Sequence, residues 1–369
     1  MSRALEAVRA TRGDADFPGF ARPEKDGRAK AVGRWDDATA DASPAMRAGA
    51  VSRILRSSDS GNAAGFYETS SYAFGVFSST GIDCFDAYTR CVMTCLVDNG
   101  ESTGWGDSSS HAMHEVDVEA AARRAARKAE ASKSPRPAAP GSYEVVLEPA
   151  ATGTLLEYLA YAGFGAKQVL EDESFLARRT GEEVGAPWVT ILDDVWHPQS
   201  VGIGFDFEGV PRKRVKVIDN GRATGPVSDL RTARQMDVEA TGHGSGSNEL
   251  GPYAANVVLE PGDKTLEELI EGVTHGFLVT RFHYVNILDR PATLLTGMTR
   301  DGTFAVEDGA VTGAVHNFRF AQNVLSALAS VQGVGRELVS LAPEFGGFGS
   351  TVAPALHLGE FDFVSTTSH

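Results

Sequence analysis

Residues 133–141 read KSPRPAAPG, and this short stretch divides the chain into two parts of different character. It holds three prolines and one glycine. Because proline cannot continue a helix and stiffens a linker, the stretch predicts a domain boundary. We therefore expect an N-terminal domain over residues 1–132, a linker over 133–141, and a C-terminal domain over 142–369.

The part before the linker predicts a domain of helices and sheet. Residues 117–131 (DVEAAARRAARKAEA) form its clearest helix, since Asp117 is a favourable N-cap and alanine and arginine are strong helix formers. Residues 45–58 also show helical spacing of their apolar side chains. Between these helices lie strand-like runs that predict a meander: 63–69, 72–78 and 84–97.

The part after the linker is longer and predicts mainly antiparallel strands. Helices are expected over residues 151–162 and 320–332, and short strands alternate with turns over most of the remainder. Dipeptides that favour hairpin turns separate some of these strands: Asn220-Gly221, Asp301-Gly302 and Asp308-Gly309. The expected fold class is therefore α+β, with a helix-and-sheet N-terminal domain followed by a larger, mainly antiparallel β-rich domain.

Composition limits the classes of function. The 49 acidic residues outnumber the 34 Lys and Arg residues, which gives a formal net charge of −15. A duplex-binding protein is normally basic, because its affinity comes largely from neutralising phosphates, so nucleic acid is not an expected partner. The three cysteines do not indicate a disulfide framework, and no apolar run is long enough to cross a bilayer. These features predict a cytoplasmic protein with no membrane partner.

Residues 204–211 (GFDFEGVP) resemble the F-D-x-E-G-V signature of the TldD/TldE (PmbA) peptidase family. Further matches follow in the family's order, at 217–221 (VIDNG), 232–234 (TAR), 241–242 (TG) and 296–304 (TGMTRDGTF). The resemblance runs from near residue 4 to the C-terminus, and it rests on the order and spacing of these motifs together. Family members usually carry a further N-terminal stretch. The resemblance therefore implies that the first domain here is a reduced version without the family's first segment.

The resemblance also implies where a zinc site would lie. Catalytic members carry H-E-x-x-x-H on the helix just after the linker, where two histidines bind zinc and the glutamate activates a bound water. On our alignment the ligand positions hold Glu157 and Ala162, and the glutamate position holds Tyr158. The family's third ligand is a cysteine near the C-terminus, whereas residues 345–349 here read FGGFG. These departures imply that the chain holds no metal or other cofactor and is closest to the TldE type, the subunit without the zinc site.

An assembly follows from the same resemblance. A zinc-bearing TldD-like chain would be the partner, and the heterodimer would admit unfolded peptides to an internal cavity, for peptide natural product maturation or for proteolysis. Zinc would belong to the partner, and this chain would supply no catalytic residue. Arg300 and Asp301 also fit a hairpin turn with an internal ion pair. The candidate contacts to the peptide are Tyr161, His243, Arg281, His283, Tyr284, Arg300 and Asp301.

Two other functions stay open at this point. A homodimeric scaffold would need no chemistry from the chain. A self-sufficient, metal-independent peptidase or amide hydrolase would use polar side chains of the same cavity: Glu157, Tyr158, Tyr161, His243, Arg281 and His283.

Three smaller motifs have ordinary structural interpretations. His111 and His114 have a spacing seen in metal sites but lack a defined set of further ligands, which favours a solvated turn before the 117–131 helix. Cys91 and Cys95 fall on one face of a strand, which favours core packing over redox chemistry. The glycine- and serine-rich run at 242–247 predicts either a flexible segment near the peptide channel or a disordered connector.

Overall fold

The computed structural model describes residues 2–11, 13–14, 16–23, 29–58, 62–344 and 348–367. In chain order the helices are α1 (Ser2–Ala10), α2 (Asp37–Ala40), α3 (Pro44–Ser57), α4 (Val118–Ala131), α5 (Pro149–Gly163), α6 (Ala166–Leu170), α7 (Leu176–Arg179), α8 (Leu230–Met236), α9 (Leu266–Glu271) and α10 (Val324–Ala329). The strands are β1 (Asn62–Phe77), β2 (Asp83–Asp98), β3 (Thr103–Ser110), β4 (Gly141–Leu147), β5 (Ile191–Asp193), β6 (Val215–Asp219), β7 (Arg222–Ala223), β8 (Asn256–Leu259), β9 (His275–Asp289), β10 (Leu294–Glu307), β11 (Ala310–Ala314), β12 (Phe318–Asn323), β13 (Val331–Val334), β14 (Val339–Leu341), β15 (Ser350–Ala353) and β16 (Leu356–Thr366).

The N-terminal domain is built on an antiparallel sheet of order β1-β2-β3. The predicted strands 63–69 and 72–78 are one strand, β1, because Ser70 between them continues the pairing with Arg90 of β2. The sequence pattern did not indicate β3. The predicted meander is therefore confirmed, with different strand boundaries.

Helix α4 covers one face of this sheet. Asp117 caps the helix as predicted, accepting a hydrogen bond of 2.9 Å from a backbone N–H of the first turn. Glycines in β3 allow the backbone of α4 to approach the strand closely. A Cβ at Gly106 would lie 2.0 Å from the carbonyl oxygen of Ala121 in α4, which is too close for any other residue. Cys91 and Cys95 are buried between sheet and helix, and burial raises the pKa of the Cys91 thiol to about 11. Their predicted role in core packing is confirmed.

The C-terminal domain contains two sheets. In the first, β10, β12, β16, β4 and β9 are paired in that order, and the pairing of β9 with β10 closes them into a ring. Strands β4 and β9 run parallel, whereas the other pairs of the ring are antiparallel. The second sheet has the order β14-β15-β8-β5-β6-β7. The predicted α+β class with a mainly antiparallel C-terminal domain is confirmed.

The main hydrophobic core occupies the C-terminal domain and surrounds α5. This helix packs against β9 of the ring and β15 of the second sheet. Its side chains Leu155, Leu156 and Leu159 are buried in that core. The ring contributes interlocking aromatic side chains: Phe277, Phe282, Phe318, Phe320, Phe361 and Phe363. Since both sheets hold it, α5 has a fixed position in the domain.

Two of the three predicted hairpin turns are confirmed. Asn220-Gly221 joins β6 to β7, and Asp308-Gly309 joins β10 to β11. The prediction at Asp301-Gly302 is wrong, because both residues lie inside β10, at an irregularity in its pairing with β9. Asp301 has a φ of +58° there, and its buried carboxylate pairs with Arg281. The dipeptide thus forms a bulge that turns a carboxylate into the protein instead of reversing the chain.

The remaining predicted helices are confirmed in part. Residues 45–58 and 151–162 correspond to α3 and α5. The helix predicted over 320–332 is shorter, since β12 continues to Asn323 and only Val324–Ala329 are helical. Within the described ranges, no helix is both long and apolar enough to span a bilayer.

The linker lies along the C-terminal domain. The backbone N–H of Arg136 donates to the carbonyl oxygen of Ala314 at 2.9 Å, and the N–H of His316 donates to the carbonyl oxygen of Arg136 at 3.1 Å. Ala138 packs against the main core. Both backbone polar groups of Arg136, at the centre of the proline-rich stretch, are therefore hydrogen-bonded to the C-terminal domain.

Candidate functional site

A cleft separates the sheet of the N-terminal domain from α5 of the C-terminal domain. It has a small chamber of about 290 Å³ and a large chamber of about 740 Å³. Trp105 and Asp107 line both chambers, so the two adjoin. Other residues of the small chamber are Phe66, Thr154, Glu157, Arg281 and Glu344. Other residues of the large chamber are Arg124, Glu148, Thr280, Glu337 and Ser340.

Strand β3 supplies one wall because its side chains alternate between the two faces of the sheet. Gly104 and Gly106 face α4. The alternating residues Trp105 and Asp107 therefore point to the opposite face of the sheet, toward the cleft. Phe66 of β1 lies on the same face, two strands away, and is half exposed at 51%. The wall from the N-terminal domain is therefore aromatic, with one carboxylate.

Helix α5 supplies the opposite wall. Ala150, Gly153, Thr154 and Glu157 recur at helical spacing and all line the small chamber. Glu157 is only 6% exposed. The hydroxyl of Thr154 donates to the carboxylate of Glu344 at 3.4 Å. The helix thus brings one carboxylate to the chamber itself and contacts a second.

The residues at the family's zinc positions do not fit a zinc ion. Tyr158 donates its hydroxyl to the carbonyl oxygen of Val285 at 2.7 Å, and burial raises the pKa of its phenol to about 12. Ala162 is fully buried, has no donor atom, and lies about 140° around a regular helix from Glu157. Tyr161 lies closer to the Glu157 face but offers no imidazole. Helix α5 therefore provides a single carboxylate where a catalytic relative provides two histidines and a glutamate.

Purified protein is accordingly expected to retain well under one zinc ion per chain after a mild chelator wash. Zinc needs three or four nitrogen, sulfur or oxygen ligands, and among the described residues no three His, Cys, Asp or Glu side chains come together as a metal-binding group. Residues 345–347, in the segment that corresponds to the family's cysteine ligand, lie outside the described ranges. Elemental analysis measures the metal, with an H-E-x-x-x-H relative washed in parallel as the control. One zinc per chain surviving the wash would contradict the expectation.

Arg281 and Asp301 form a polar node that joins the two domains at the cleft. Arg281 of β9 donates from Nε to the Asp301 carboxylate at 2.5 Å, and its guanidinium lies 4.1 Å from the ring centroid of Trp105. The other carboxylate oxygen of Asp301 accepts from the Thr103 hydroxyl of β3 at 2.6 Å. Arg300 approaches the same carboxylate at 3.9 Å. The predicted ion pair between Arg300 and Asp301 is therefore present, but the stronger partner is Arg281.

His283 and Tyr284 follow on β9, and neither is part of the chamber lining described above. Their ring centroids are 4.2 Å apart, and Tyr284 is 71% exposed with a φ of +49°. Burial, together with the charges of Arg281 and Arg300, lowers the pKa of His283 below its usual range. A neutral imidazole beside an exposed phenol is a contact surface, and its role in peptide binding stays a prediction.

His243 is sealed inside the C-terminal domain. Its Nε2 lies 2.9 Å from Asp193 and its Nδ1 lies 2.9 Å from the Thr241 hydroxyl. Burial disfavours the charged form of Asp193, but His243 and Arg212 outweigh it and hold the pKa of that carboxyl below its ordinary value. Because the carboxylate is ionised, Nε2 is the donor in this bond. His243 therefore ties the start of the 242–247 run to β5 and does not reach the cleft.

Tyr161 lies in a different pocket of about 370 Å³, with Lys167 and Arg290. The Arg290 guanidinium stacks over the Tyr161 ring at 5.0 Å and donates to its backbone carbonyl. Of the candidate residues, the structure thus brings Glu157 and Arg281 together at the small chamber, with Asp301 behind Arg281. It places Tyr161 and His243 elsewhere.

His111 and His114 lie in the turn that precedes α4, as predicted. His111 lines the large chamber and its Nδ1 is 3.5 Å from the Glu115 carboxylate, whereas His114 is exposed. No metal-binding group forms from them within the described residues.

Trp105, Asp107 and Glu344 are among the cleft residues that sequence reasoning missed. The first two could have been found from the alternation of glycine with larger side chains at 104–107, had β3 been recognised. Burial raises the pKa of Asp107, although Arg124 opposes the shift. Burial also raises the pKa of Glu344, opposed by the Thr154 hydroxyl and Arg281. Burial thus favours the neutral form of both carboxyls, and a nearby cation would favour the ionised form.

Comparison with known proteins agrees with this architecture. Residues 140–365 match the PmbA/TldA metallopeptidase C-terminal domain, and residues 34–133 match the central domain of the same family. The fold superposes on TldE from Thermococcus kodakarensis with a TM-score of 0.85 at 22% identity, covering 99% of this chain and 83% of that one.

Sequence relatives give the same family. A metalloprotease from Methanothermobacter thermautotrophicus is 27% identical over 249 residues, which is 64% of this chain and 52% of the relative. A metalloprotease from Methanocaldococcus jannaschii is 27% identical over 210 residues, which is 55% of this chain and 45% of the relative. The chain thus spans about half the length of the curated relatives it matches. With its central and C-terminal domains both matched, this chain belongs to the PmbA/TldD metallopeptidase family.

Proposed function

We propose that this chain is a non-catalytic, TldE-like subunit of a heterodimeric TldD/TldE-type metallopeptidase. A zinc-bearing TldD-like chain is the partner, and the pair cleaves unfolded peptides in the cytoplasm, in peptide natural product maturation or in proteolysis. This chain contributes one wall of the peptide cavity and supports the partner.

The observation that carries the proposal is the surface of α5. The helix lies between the two sheets of the C-terminal domain, within the part of the chain that matches the family's C-terminal domain. Its zinc positions nevertheless hold Glu157, Tyr158 and Ala162, of which one is bonded to a backbone carbonyl and another is fully buried without a donor atom. A chain that has the family's fold but lacks the metal ligands fits a supporting subunit better than it fits a catalytic peptidase.

The distribution of polar side chains also favours a supporting role over a self-sufficient hydrolase. Such an enzyme needs a base or nucleophile within hydrogen-bond reach of the substrate. His243, the strongest base candidate, is sealed in the domain by Asp193 and Thr241. Tyr161 lies in another pocket, and Tyr158 is held at a backbone carbonyl. Of the six candidates for metal-independent chemistry, only Glu157 and Arg281 line the small chamber, and the other four lie outside its lining.

A long free edge supports the presence of a partner chain. Strand β1 has 16 residues and pairs only with β2 among the described strands, which leaves its second edge without a strand neighbour. Phe66 and Phe77 on this strand are 51% and 68% exposed. Soluble proteins usually cover or interrupt an edge of this length. A second subunit would cover it.

Co-expression with an H-E-x-x-x-H relative from the same genome tests the proposal. We expect the two chains to copurify in equal amounts and to cleave an unfolded peptide, whereas each chain alone does not. A partner whose motif glutamate is replaced by glutamine is the control, since it should copurify without cleaving. Two results would refute the proposal. One is sedimentation of this chain as a stable monomer in the presence of the relative, and the other is peptide cleavage by this chain alone.

A further inference from the structure

The lining of the cleft carries an excess of negative charge. Seven carboxyl groups and two guanidinium groups line the two chambers among the described residues. Both arginines already have carboxylate partners: Arg281 lies 2.5 Å from Asp301, and Arg124 lies 3.9 Å from Asp107. Of the seven carboxyl groups, Glu148 is also paired, with Lys128 at 2.7 Å. Added positive charge from a ligand would therefore meet a field that the protein itself leaves negative.

The small chamber concentrates two of these carboxyl groups. Glu157 comes from α5 and Glu344 from the segment after β14, and the Thr154 hydroxyl bonded to Glu344 lies one turn from Glu157 on the same helix face. Burial raises the pKa of Glu344 and thus disfavours its charge in the empty chamber. A bound cation removes that penalty, because it stabilises the ionised form.

The remaining walls suit the apolar stem of a cationic side chain. Phe66, Trp105 and Leu341 line the small chamber. A lysine side chain buries its methylene groups against such surfaces while its ammonium group reaches polar partners. Aromatic rings also attract cations through their faces. The chamber thus offers apolar walls with carboxylates, which is the complement of an alkylammonium group.

Two hydroxyl groups in the wall of the large chamber have no hydrogen-bond partner among the described residues. Thr280 and Ser340 are 4% and 9% exposed, and Thr280 Oγ1 and Ser340 Oγ are both without a partner. Thr280 adjoins Arg281, and Ser340 adjoins Leu341, at the junction of the chambers. Buried hydroxyls are normally hydrogen-bonded, so these two point to a polar ligand that runs past them. Peptide backbone groups supply such hydrogen bonds.

We propose that the cleft selects peptide segments that carry an alkylammonium group, with Glu157 and Glu344 as its counter-charges and the Thr280 and Ser340 hydroxyls as contacts to the neighbouring backbone. This inference rests on the proposed function, since it names the class of peptide that the same cleft holds. The alkylammonium group is either a lysine side chain or a free amino terminus. Both present the same charge and donors to the two carboxylates.

Binding of four matched peptides to the full chain tests the inference. The parent peptide is short and unstructured, with one central lysine and a free amino terminus. The others have glutamine in place of the lysine, an acetylated amino terminus, or both changes. Calorimetry or fluorescence anisotropy gives the affinities. We expect the doubly changed peptide to bind about tenfold or more weakly than the parent, and the single changes to identify which ammonium group is held.

Isosteric variants assign the preference to the two carboxylates. Glu157→Gln and Glu344→Gln should each reduce the preference for the charged peptide, and the double variant should abolish it. Glu183→Gln removes an 81% exposed carboxylate outside the cleft and should leave the preference unchanged. Thermal melting checks that each variant is folded.

The outcomes separate this inference from the proposed function. Equal affinity for all four peptides would overturn the selection of cations while leaving a peptide-binding cleft. A preference that survives in the double variant would overturn the assignment of Glu157 and Glu344. Failure of every peptide to bind would count against both.

Discussion

Replacing His243 with alanine is expected to lower the free energy of unfolding by about 3 kcal/mol, because the change leaves the buried Asp193 carboxylate without one of its hydrogen-bond donors. Asp193 is 1% exposed and receives hydrogen bonds from His243 and from the backbone N–H of Asn256. Without the imidazole, a buried carboxylate keeps only that N–H and the guanidinium of Arg212 at 3.7 Å. Chemical denaturation followed by circular dichroism measures the loss.

Two controls define this prediction. His275→Ala removes an exposed histidine and should change stability by less than about 0.5 kcal/mol. Asp193→Asn combined with His243→Ala should cost less than the sum of the single changes, because the two side chains interact directly. An alanine variant that unfolds at the same denaturant concentration as the parent protein would contradict the account of His243 as a structural residue.

The pH dependence of this pair has a definite sign. The pKa of Asp193 is lowered in the folded protein, so the folded state favours the ionised carboxyl. Its stabilising contribution is present above the ordinary aspartate pKa of about 3.9 and is lost as the pH falls through the lowered folded value. The ionised Asp193 carboxyl therefore stabilises the protein at neutral pH, and this contribution is lost in acid.

In the reconstituted heterodimer, leaving out this chain is expected to abolish peptide cleavage, whereas single substitutions in its cleft change turnover by less than about tenfold. Glu157→Ala removes a carboxyl group that lines the small chamber, and Tyr158→Phe removes the hydroxyl that α5 donates to the carbonyl oxygen of Val285. Loss of a true acid or base typically costs about 10²–10⁴ in rate. The test measures turnover and copurification in parallel. The substrate is a peptide without lysine and with a blocked amino terminus, so that selection of cationic peptides does not affect the rates.

One result would overturn the supporting role. If a single cleft substitution lowered turnover by a hundredfold or more while the complex stayed intact, this chain would be contributing chemistry to the reaction. The matched change Glu183→Ala, at an exposed carboxylate, should leave both turnover and assembly unaltered.

Much of the fold could be predicted from local patterns. The α4 helix with its Asp117 cap and the hairpin at Asn220-Gly221 depend on near neighbours in the chain, so the sequence indicated them directly. Asp301-Gly302 could not be assigned in this way. A turn-forming dipeptide and a bulge share the same backbone preference, and the choice depends on Arg281 and Thr103, which come from other strands.

The candidate site was predictable only where it rests on the motif helix. Glu157 followed from the alignment of α5, and the structure places it in the cleft. Glu344 carries no local signal of its own, and Asp107 has only its place in the glycine alternation of β3, because the environment of both arises from the approach of two domains. His243 shows the opposite error, since a histidine in a glycine-rich run looked accessible and is buried by Asp193, a residue 50 positions away.

The bound linker restricts how this molecule can move. A proline-rich linker is a semi-rigid spacer, and one that contacted neither domain would still let the two domains change their relative orientation. Here the backbone of Arg136 is bonded on both sides to the end of the β11 region, and Ala138 is part of the core surface. Swinging at the linker would first require peeling it off that domain. Direct contacts also join the two walls of the cleft, since Thr103 and Trp105 of the N-terminal domain contact Asp301 and Arg281 of the C-terminal domain. Separating the walls would require breaking these contacts as well.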